Sequence, residues 1–150
     1  MRTAIFVGSF NPFTTGHASI VERALPLFDR IVIGIGVNID KVSDEYIDSI
    51  EQRVKAIKDV YINEPKVEVR SYEGLTVDFA REIGATYIIK GVRSVRDFEY
   101  EREQADVNRM LSGIETVLFL ALPELASVSS TVVRELQKYG YPIDKFIPKR

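Results

Sequence analysis

The chain has 150 residues, of which 45% are hydrophobic and 28% charged, with 20 Lys and Arg against 22 Asp and Glu. This length and composition are typical of one globular domain, which we expect to span residues 1–150. The charge balance argues against a basic nucleic-acid-binding surface, and zero cysteines exclude disulfides, thiolate metal sites and a cysteine nucleophile.

Five short runs rich in β-branched residues are predicted as strands. In chain order they cover residues 3–7, 31–37, 67–72, 86–89 and 116–122. The runs lack strict alternation, which is typical of strands buried on both faces, and a segment with helical spacing follows each one. This order predicts an α/β fold built on a doubly wound, five-stranded parallel sheet.

Capping residues indicate where the helices begin and end. Ser49 and Gln52 form a capping-box pattern for the second helix, and Gly84 is typical of a stop for the third, which Thr76 opens. The other predicted helices cover residues 18–28, 95–111 and about 129–139.

No stretch of the sequence is long and apolar enough to span a membrane. The longest apolar runs, 31–37 and 117–122, fall far short of the ~18 residues that a bilayer requires. Gly8, Asn11 and Pro12 interrupt the first apolar stretch before a signal-peptide core could form. We therefore expect a cytoplasmic protein with no membrane partner and no nucleic-acid partner.

In a doubly wound sheet, ligands bind outside the carboxyl ends of the strands, so the strand-to-helix junctions are the positions to search. The first junction, residues 8–17, reads Gly-Ser-Phe-Asn-Pro-Phe-Thr-Thr-Gly-His and ends on the only histidine of the chain. Backbone N–H groups and the dipole at the start of a helix favour phosphate. Although a lone histidine is more often an ordinary core or surface residue, His17 beside these donors is suited to stabilising charge on a phosphoryl oxygen.

The later junctions add hydroxyls and cations. Ser129, Ser130 and Thr131 open the last helix, where they can act as caps or hold phosphate together with Arg134. Residues 90–93 place two cations, Lys90 and Arg93, after a buried strand, so we expect both at the crevice. The alternative is that they are an ordinary pair of solvated surface charges. Lys41 follows the second strand, and an exposed loop lysine is more often a solubilising residue.

Three common motifs are absent or incomplete. Gly34 and Gly36 begin a dinucleotide-binding pattern, but they lie inside a predicted strand and the third glycine is missing. The sequence has no phosphate-binding loop of the Walker type and no G-x-S-x-G nucleophile elbow. These absences argue against the corresponding nucleotide-binding and hydrolase classes.

The first and last junctions together resemble the paired signatures of the nucleotidyltransferase superfamily. Residues 129–134, Ser-Ser-Thr-Val-Val-Arg, supply the second signature. Residues 89–101, Ile-Lys-Gly-Val-Arg-Ser-Val-Arg-Asp-Phe-Glu-Tyr-Glu, are similar to those of the phosphopantetheine adenylyltransferases. The resemblance extends over essentially the whole chain and implies a Rossmann-like nucleotidyltransferase fold.

The resemblance also implies an activity and partners. ATP and 4′-phosphopantetheine would give dephospho-coenzyme A and pyrophosphate, in a homohexamer, with Mg²⁺ carried mainly by the ATP phosphates and water. The implied catalytic residues are His17, Lys41 and Arg93. The implied acceptor-binding residues are Ser9, Lys41, Thr76 and Lys90. The implied ATP-binding residues are Ser9, Phe10, His17, Gly91, Val92, Arg93, Glu101, Leu125, Ala126, Ser127, Val128, Ser129, Ser130 and Thr131.

The chain departs from the family pattern at three places. Position 9 is Ser where Thr is common, which keeps the hydroxyl. Position 90 is Lys where Arg is usual, so a point charge replaces a bidentate donor. Leu125 and Ala126 stand where an aromatic residue is often found, which leaves adenine packing open.

The implied chemistry needs no general base, because a phosphomonoester with a second pKa near ~6 is largely ionised at neutral pH. Two alternatives stay open at this level: a related transferase with another acceptor, such as nicotinamide mononucleotide or glycerol phosphate, and a non-catalytic nucleotide-binding module.

Overall fold

The computed structural model describes residues 1–37 and 48–149, which contain five strands and five α-helices. The strands are β1 (Thr3–Gly8), β2 (Arg30–Gly36), β3 (Val67–Tyr72), β4 (Tyr87–Val92) and β5 (Glu115–Leu120). The helices are α1 (Thr15–Ala24), α2 (Ile50–Val60), α3 (Thr76–Ile83), α4 (Val95–Ser112) and α5 (Ser130–Lys138). Single 3₁₀ turns lie at Leu25–Leu27, Pro123–Leu125 and Asp144–Phe146.

The strands form one parallel sheet in the order β3-β2-β1-β4-β5. The chain proceeds outward from β1 to β3 on one side and returns beside β1 with β4 on the other. The strand order therefore reverses between β1 and β4, which is where a crevice opens at the carboxyl edge. This arrangement confirms the predicted α/β fold with a doubly wound, five-stranded parallel sheet.

Both faces of the sheet are covered by apolar side chains. Along β1, Ala4 and Phe6 belong to one buried cluster, whereas Ile5 and Val7 belong to the other. Because residues 4–7 of β1 are buried on both faces of the sheet, this part of the strand lacks the polar alternation of a half-exposed strand. None of the described helices combines the length and apolar character needed to cross a bilayer.

The predicted first helix differs from α1 at both ends. The structure begins it at Thr15, because the Thr14 side chain caps it, and ends it at Ala24. Pro26 then lies in the first turn of a 3₁₀ segment, where its missing N–H costs no α-helical hydrogen bond. The first helix thus begins three residues earlier than predicted and ends four residues earlier.

The fourth strand is longer than predicted. Lys90 and Gly91 pair with Leu118 and Phe119 of β5, so they belong to the strand end rather than to a loop. The prediction stopped at residue 89 because a lysine and a glycine interrupt the apolar run, whereas the ladder continues past them to Val92. Lys90 is consequently held on regular backbone.

The cap predictions are largely confirmed. Ser49 and Gln52 make both hydrogen bonds of a capping box, and Gly84 ends α3 in the left-handed conformation at φ 82°. Ser129 caps α5. Thr76 is the first residue of α3 rather than its cap, since Leu75 precedes the helix and makes no side-chain cap bond.

Candidate active site

A cavity of about 340 Å³ opens at the carboxyl ends of β1 and β4. The starts of α1, α4 and α5 surround it, so residues more than 100 positions apart in the sequence meet there. Thirteen of the residues predicted for the site line this cavity: Ser9, Phe10, His17, Lys90, Gly91, Val92, Arg93, Glu101, Leu125, Val128, Ser129, Ser130 and Thr131.

Thr14 and His17 form reciprocal hydrogen bonds at the start of α1. The Thr14 backbone N–H donates to Nδ1 of His17 at 2.9 Å, and the His17 backbone N–H donates to Oγ1 of Thr14 at 3.4 Å. The imidazole thus takes the place that Glu or Gln occupies in an ordinary capping box. Because α1 begins at this pair, the helix itself fixes the position of the ring.

The cap also determines which ring nitrogen carries the proton. Since Nδ1 accepts a hydrogen bond from a backbone N–H, the proton of the neutral ring is on Nε2. His17 lines the cavity, and Nε2–H is the donor it can offer there.

Three phenylalanines surround the imidazole. Phe10 meets it edge-on with ring centroids 5.0 Å apart, Phe13 stacks on it at 5.4 Å, and Phe6 lies 6.2 Å away. Burial among these rings, with a smaller contribution from the positive charge of Arg93, lowers the pKa of His17 to about 4. The ring is therefore neutral at pH 7 and donates a hydrogen bond without carrying charge.

Side chains from α2 and α5 bind the backbone carbonyls of the loop before α1. Arg53 donates to the Ser9 carbonyl at 2.7 Å, and Arg134 donates to the Asn11 carbonyl at 2.6 Å. Ser130 donates its hydroxyl to the Pro12 carbonyl at 2.7 Å. We call this loop, residues 9–14, the anchored loop. Its carbonyl oxygens point toward these donors, which fixes the path of the chain into the Thr14 cap.

The role of Arg134 differs from the sequence expectation. Its guanidinium contacts Asn11 and the Thr131 hydroxyl, and it does not line the cavity. Sequence reasoning missed Arg53 entirely, although its 5% exposure marks an arginine with a structural partner. The only signal in the sequence was a lone arginine among the apolar positions of α2.

Two ion pairs lie beside each other at the carboxyl end of β4. Lys90 Nζ is 3.7 Å from Glu101 Oε2, and Arg93 Nε is 3.5 Å from Asp97 Oδ2. The backbone between them approaches α1 closely, because a Cβ on Gly91 would lie 3.2 Å from Ile20. Glycine at position 91 therefore lets β4 and α1 form adjacent walls of the cavity.

The start of α5 presents hydroxyls to the cavity. The Ser129 hydroxyl accepts from the Val132 N–H at 3.2 Å and so caps the helix, while Ser130 and Thr131 bond the anchored loop and Arg134. Each oxygen keeps lone pairs beyond these bonds. The capping and ligand-binding roles that the sequence left open are thus compatible at this helix start.

Three of the predicted site residues lie elsewhere, and a fourth is not among the residues that the structure describes. Ala126 and Ser127 do not line the cavity, and Lys41 lies outside the described residues. Thr76 also lies apart, within 3.1 Å of the Tyr72 hydroxyl, whose pKa is raised by burial. Their predicted contacts stay predictions.

The cavity offers few ligands to a metal ion. No group of three or more His, Cys, Asp or Glu side chains suited to a metal occurs within residues 1–37 and 48–149. Among the cavity-lining residues in the described part of the chain, Glu101 is the one carboxylate, and hydroxyls at the start of α5 supply further oxygens. This donor set fits Mg²⁺ bound chiefly through substrate phosphates and water, the usual arrangement for that ion.

The chain is similar to a protein family and to several known proteins over most of its length. The profile of the family described as cytidylyltransferase-like matches residues 5–136. The chain is 53% identical over 149 residues to the phosphopantetheine adenylyltransferase of Bacteroides fragilis and 52% identical to that of Bacteroides thetaiotaomicron. Both alignments cover 99% of this chain and 97% of the relative.

Solved structures share the fold at low identity. A bifunctional NMN adenylyltransferase/ADP ribose pyrophosphatase from Francisella tularensis superposes with a TM-score of 0.76 at 15% identity, covering 99% of this chain and 45% of that one. A putative nicotinate-nucleotide adenylyltransferase from Vibrio parahaemolyticus gives 0.63 at 18% identity, covering 99% and 95%. These similarities show the fold alone.

The single histidine makes the state of His17 measurable by NMR titration. We expect the imidazole to stay neutral as the pH is lowered from 7, to bind a proton only near pH 4, and to carry its neutral-state proton on Nε2. In Arg93→Gln the pKa should rise only slightly, because burial is the larger cause of the shift. An imidazole that titrates near 6.5, or a proton on Nδ1, would contradict this description of the ring.

Proposed function

The chain belongs to the cytidylyltransferase-like family and, within it, to the phosphopantetheine adenylyltransferases, and we propose that it transfers the adenylyl group of ATP to 4′-phosphopantetheine. The products are dephospho-coenzyme A, an intermediate of coenzyme A synthesis, and pyrophosphate. The observation that carries this conclusion is the sequence identity of 53% and 52% to two phosphopantetheine adenylyltransferases, over 99% of the chain. The cavity at the reversal of strand order supplies a site of matching chemistry.

The reaction is an in-line displacement at phosphorus. A phosphate oxygen of 4′-phosphopantetheine attacks the α-phosphorus of ATP, the bond from that phosphorus to the oxygen bridging to the β-phosphorus breaks, and pyrophosphate leaves. The attacking phosphate is largely ionised at neutral pH, so it has no proton to lose. The rate enhancement must then come from positioning and charge stabilisation.

His17 has the properties of a hydrogen-bond donor in this reaction and lacks those of a base. Its Nδ1 is occupied by the Thr14 N–H, and Nε2 carries the proton, so neither nitrogen has a lone pair free to accept another. We assign Nε2–H to an oxygen of the α-phosphoryl group, where negative charge develops. Because the cap already fixes the ring, this donor needs no rearrangement when the transition state forms.

The charged groups divide between the two substrates. We assign Lys90 to the acceptor phosphate and Arg93, together with the residues that open α5, to the β- and γ-phosphates. Ser9 also lines the cavity and is assigned to both substrates. The contributions of Lys41 and Thr76 to acceptor binding, and of Ala126 and Ser127 to ATP binding, stay predictions.

Mg²⁺ is proposed as the metal partner of ATP. It would neutralise phosphate charge, and the oxygen donors that the described residues place on the cavity wall are the hydroxyls at the start of α5 and the Glu101 carboxylate. The residues above account for binding and orientation without a dedicated metal cluster.

A homohexamer and a cytoplasmic location are proposed from the family resemblance. Exposed apolar side chains on α4 and β5 support assembly with further copies: Met110 is 84% exposed, and Val107, Leu111 and Leu120 are more than half exposed. The edge strand β5 lies beside them. Light scattering on the purified protein should give six times the mass of the chain, and a monomer would contradict the proposal.

The identity of the acceptor is tested by pyrophosphate release from ATP with different phosphorylated acceptors. We expect rapid release with 4′-phosphopantetheine, and only background release with nicotinamide mononucleotide or glycerol 3-phosphate at equal concentration. Release with one of the other two would assign another acceptor. ATP binding without release with any of the three would instead support a non-catalytic nucleotide-binding module.

Replacement of His17 separates its chemical role from its structural role. His17→Ala should lower kcat by about 10²–10³-fold, as for a lost oxyanion donor, with a smaller effect on ATP affinity. His17→Gln is the matched control, because Gln is the usual partner in a capping box and should restore the start of α1. Steady-state kinetics and thermal unfolding of both variants make the comparison, and unchanged turnover in His17→Ala would remove the residue from the mechanism.

A further inference from the structure

The ion pair between Lys90 and Glu101 joins the strand end of β4 to the second turn of α4. Its 3.7 Å separation exceeds hydrogen-bonding distance, and the two side chains are 26% and 15% exposed. Both line the cavity. Because the two side chains are mostly shielded from solvent, their electrostatic attraction is significant. The pair lacks a direct hydrogen bond, however, so each charge can readily take another partner.

The two charges suit different parts of the substrates. An ionised carboxylate is only an acceptor, so Glu101 repels phosphate and attracts hydroxyl donors such as those of a ribose. The Lys90 ammonium attracts phosphate. Arg93 already has its own carboxylate partner, Asp97, which also accepts from the Arg93 backbone N–H at 3.1 Å. The carboxylate that is paired with the Lys90 ammonium is therefore that of Glu101.

We propose that Glu101 is a positioning residue that holds Lys90 away from the acceptor phosphate until a nucleoside occupies the cavity. The inference rests on the proposed function, since it concerns how the two substrates of that reaction affect each other. When ribose hydroxyls donate to Glu101, its oxygens turn to them and Lys90 is released toward the phosphate. The nucleoside part of ATP then promotes binding of the acceptor.

The coupling must be reciprocal. If a nucleoside raises the affinity for the acceptor by some factor, the acceptor raises the affinity for the nucleoside by the same factor. The phosphates of ATP would obscure this effect, because two polyanions in one cavity repel each other. Adenosine, which carries the ribose and no phosphate, isolates it.

The first experiment measures binding of 4′-phosphopantetheine, without nucleotide, by titration calorimetry. Glu101→Gln should bind it about fivefold more tightly than wild type, the effect of releasing one partly exposed ion pair. Glu103→Gln removes the same charge at an exposed position of the same helix and should change the affinity little. Unchanged or weaker binding by Glu101→Gln would overturn the proposal.

A double-mutant cycle shows whether the effect acts through Lys90. In a Lys90→Met background, Glu101→Gln should no longer tighten acceptor binding, because there is no ammonium to release. An equal tightening in both backgrounds would mean that Glu101 acts only as a nearby negative charge, and the proposal would be wrong.

The second experiment uses wild-type protein throughout. Saturating adenosine should tighten 4′-phosphopantetheine binding by about fivefold, and 2′,3′-dideoxyadenosine, which lacks the hydroxyls, should not. No tightening by adenosine would contradict the proposal. A wild-type protein that binds no 4′-phosphopantetheine even with saturating adenosine present would overturn the proposed function itself, which is a different outcome from binding without coupling.

Discussion

The reciprocal hydrogen bonds between Thr14 and His17 determine the chemistry available in the cavity. They begin α1, orient the imidazole and place its proton on Nε2 with the same two contacts. A histidine at this position of a helix serves both as part of the cap and as a hydrogen-bond donor to the cavity. The contacts that start the helix therefore also fix the orientation of the catalytic imidazole. The phenylalanines around the ring complete the constraint, because burial keeps it neutral at physiological pH.

The anchored loop makes that cap possible. Its carbonyl oxygens accept from Arg53 of α2 and from Ser130 and Arg134 of α5, each of which lies 44 or more positions beyond its partner in the sequence. The two bonds from arginine have charged donors and are therefore stronger than neutral ones, and all three rigidify a segment that contains little regular structure. The second nucleotidyltransferase signature, residues 129–134, therefore supports the first one structurally.

Much of the fold could be predicted from local sequence patterns, because strands buried on both faces and capping residues leave local signals. The Ser49 cap and the Gly84 stop are examples, and the strand-to-helix junctions together with the family resemblance led to thirteen residues of the cavity. The contacts of Arg53 and Arg134 could not be predicted, because they join residues 44 and 123 positions apart. The extension of β4 through Lys90 was missed because ladder pairing with β5 outweighs the local composition.

The central claim is that adenylyl transfer here uses a neutral, preoriented imidazole donor and no general base. The most direct test is the pH dependence of kcat at saturating substrates, compared between wild type and His17→Gln over about pH 5 to 9. The account predicts that any inflection in this range is shared by both enzymes, because it belongs to the bound phosphates. An inflection near pH 6.5 that is present in wild type and lost in His17→Gln would show that His17 exchanges a proton during turnover, and would contradict the account.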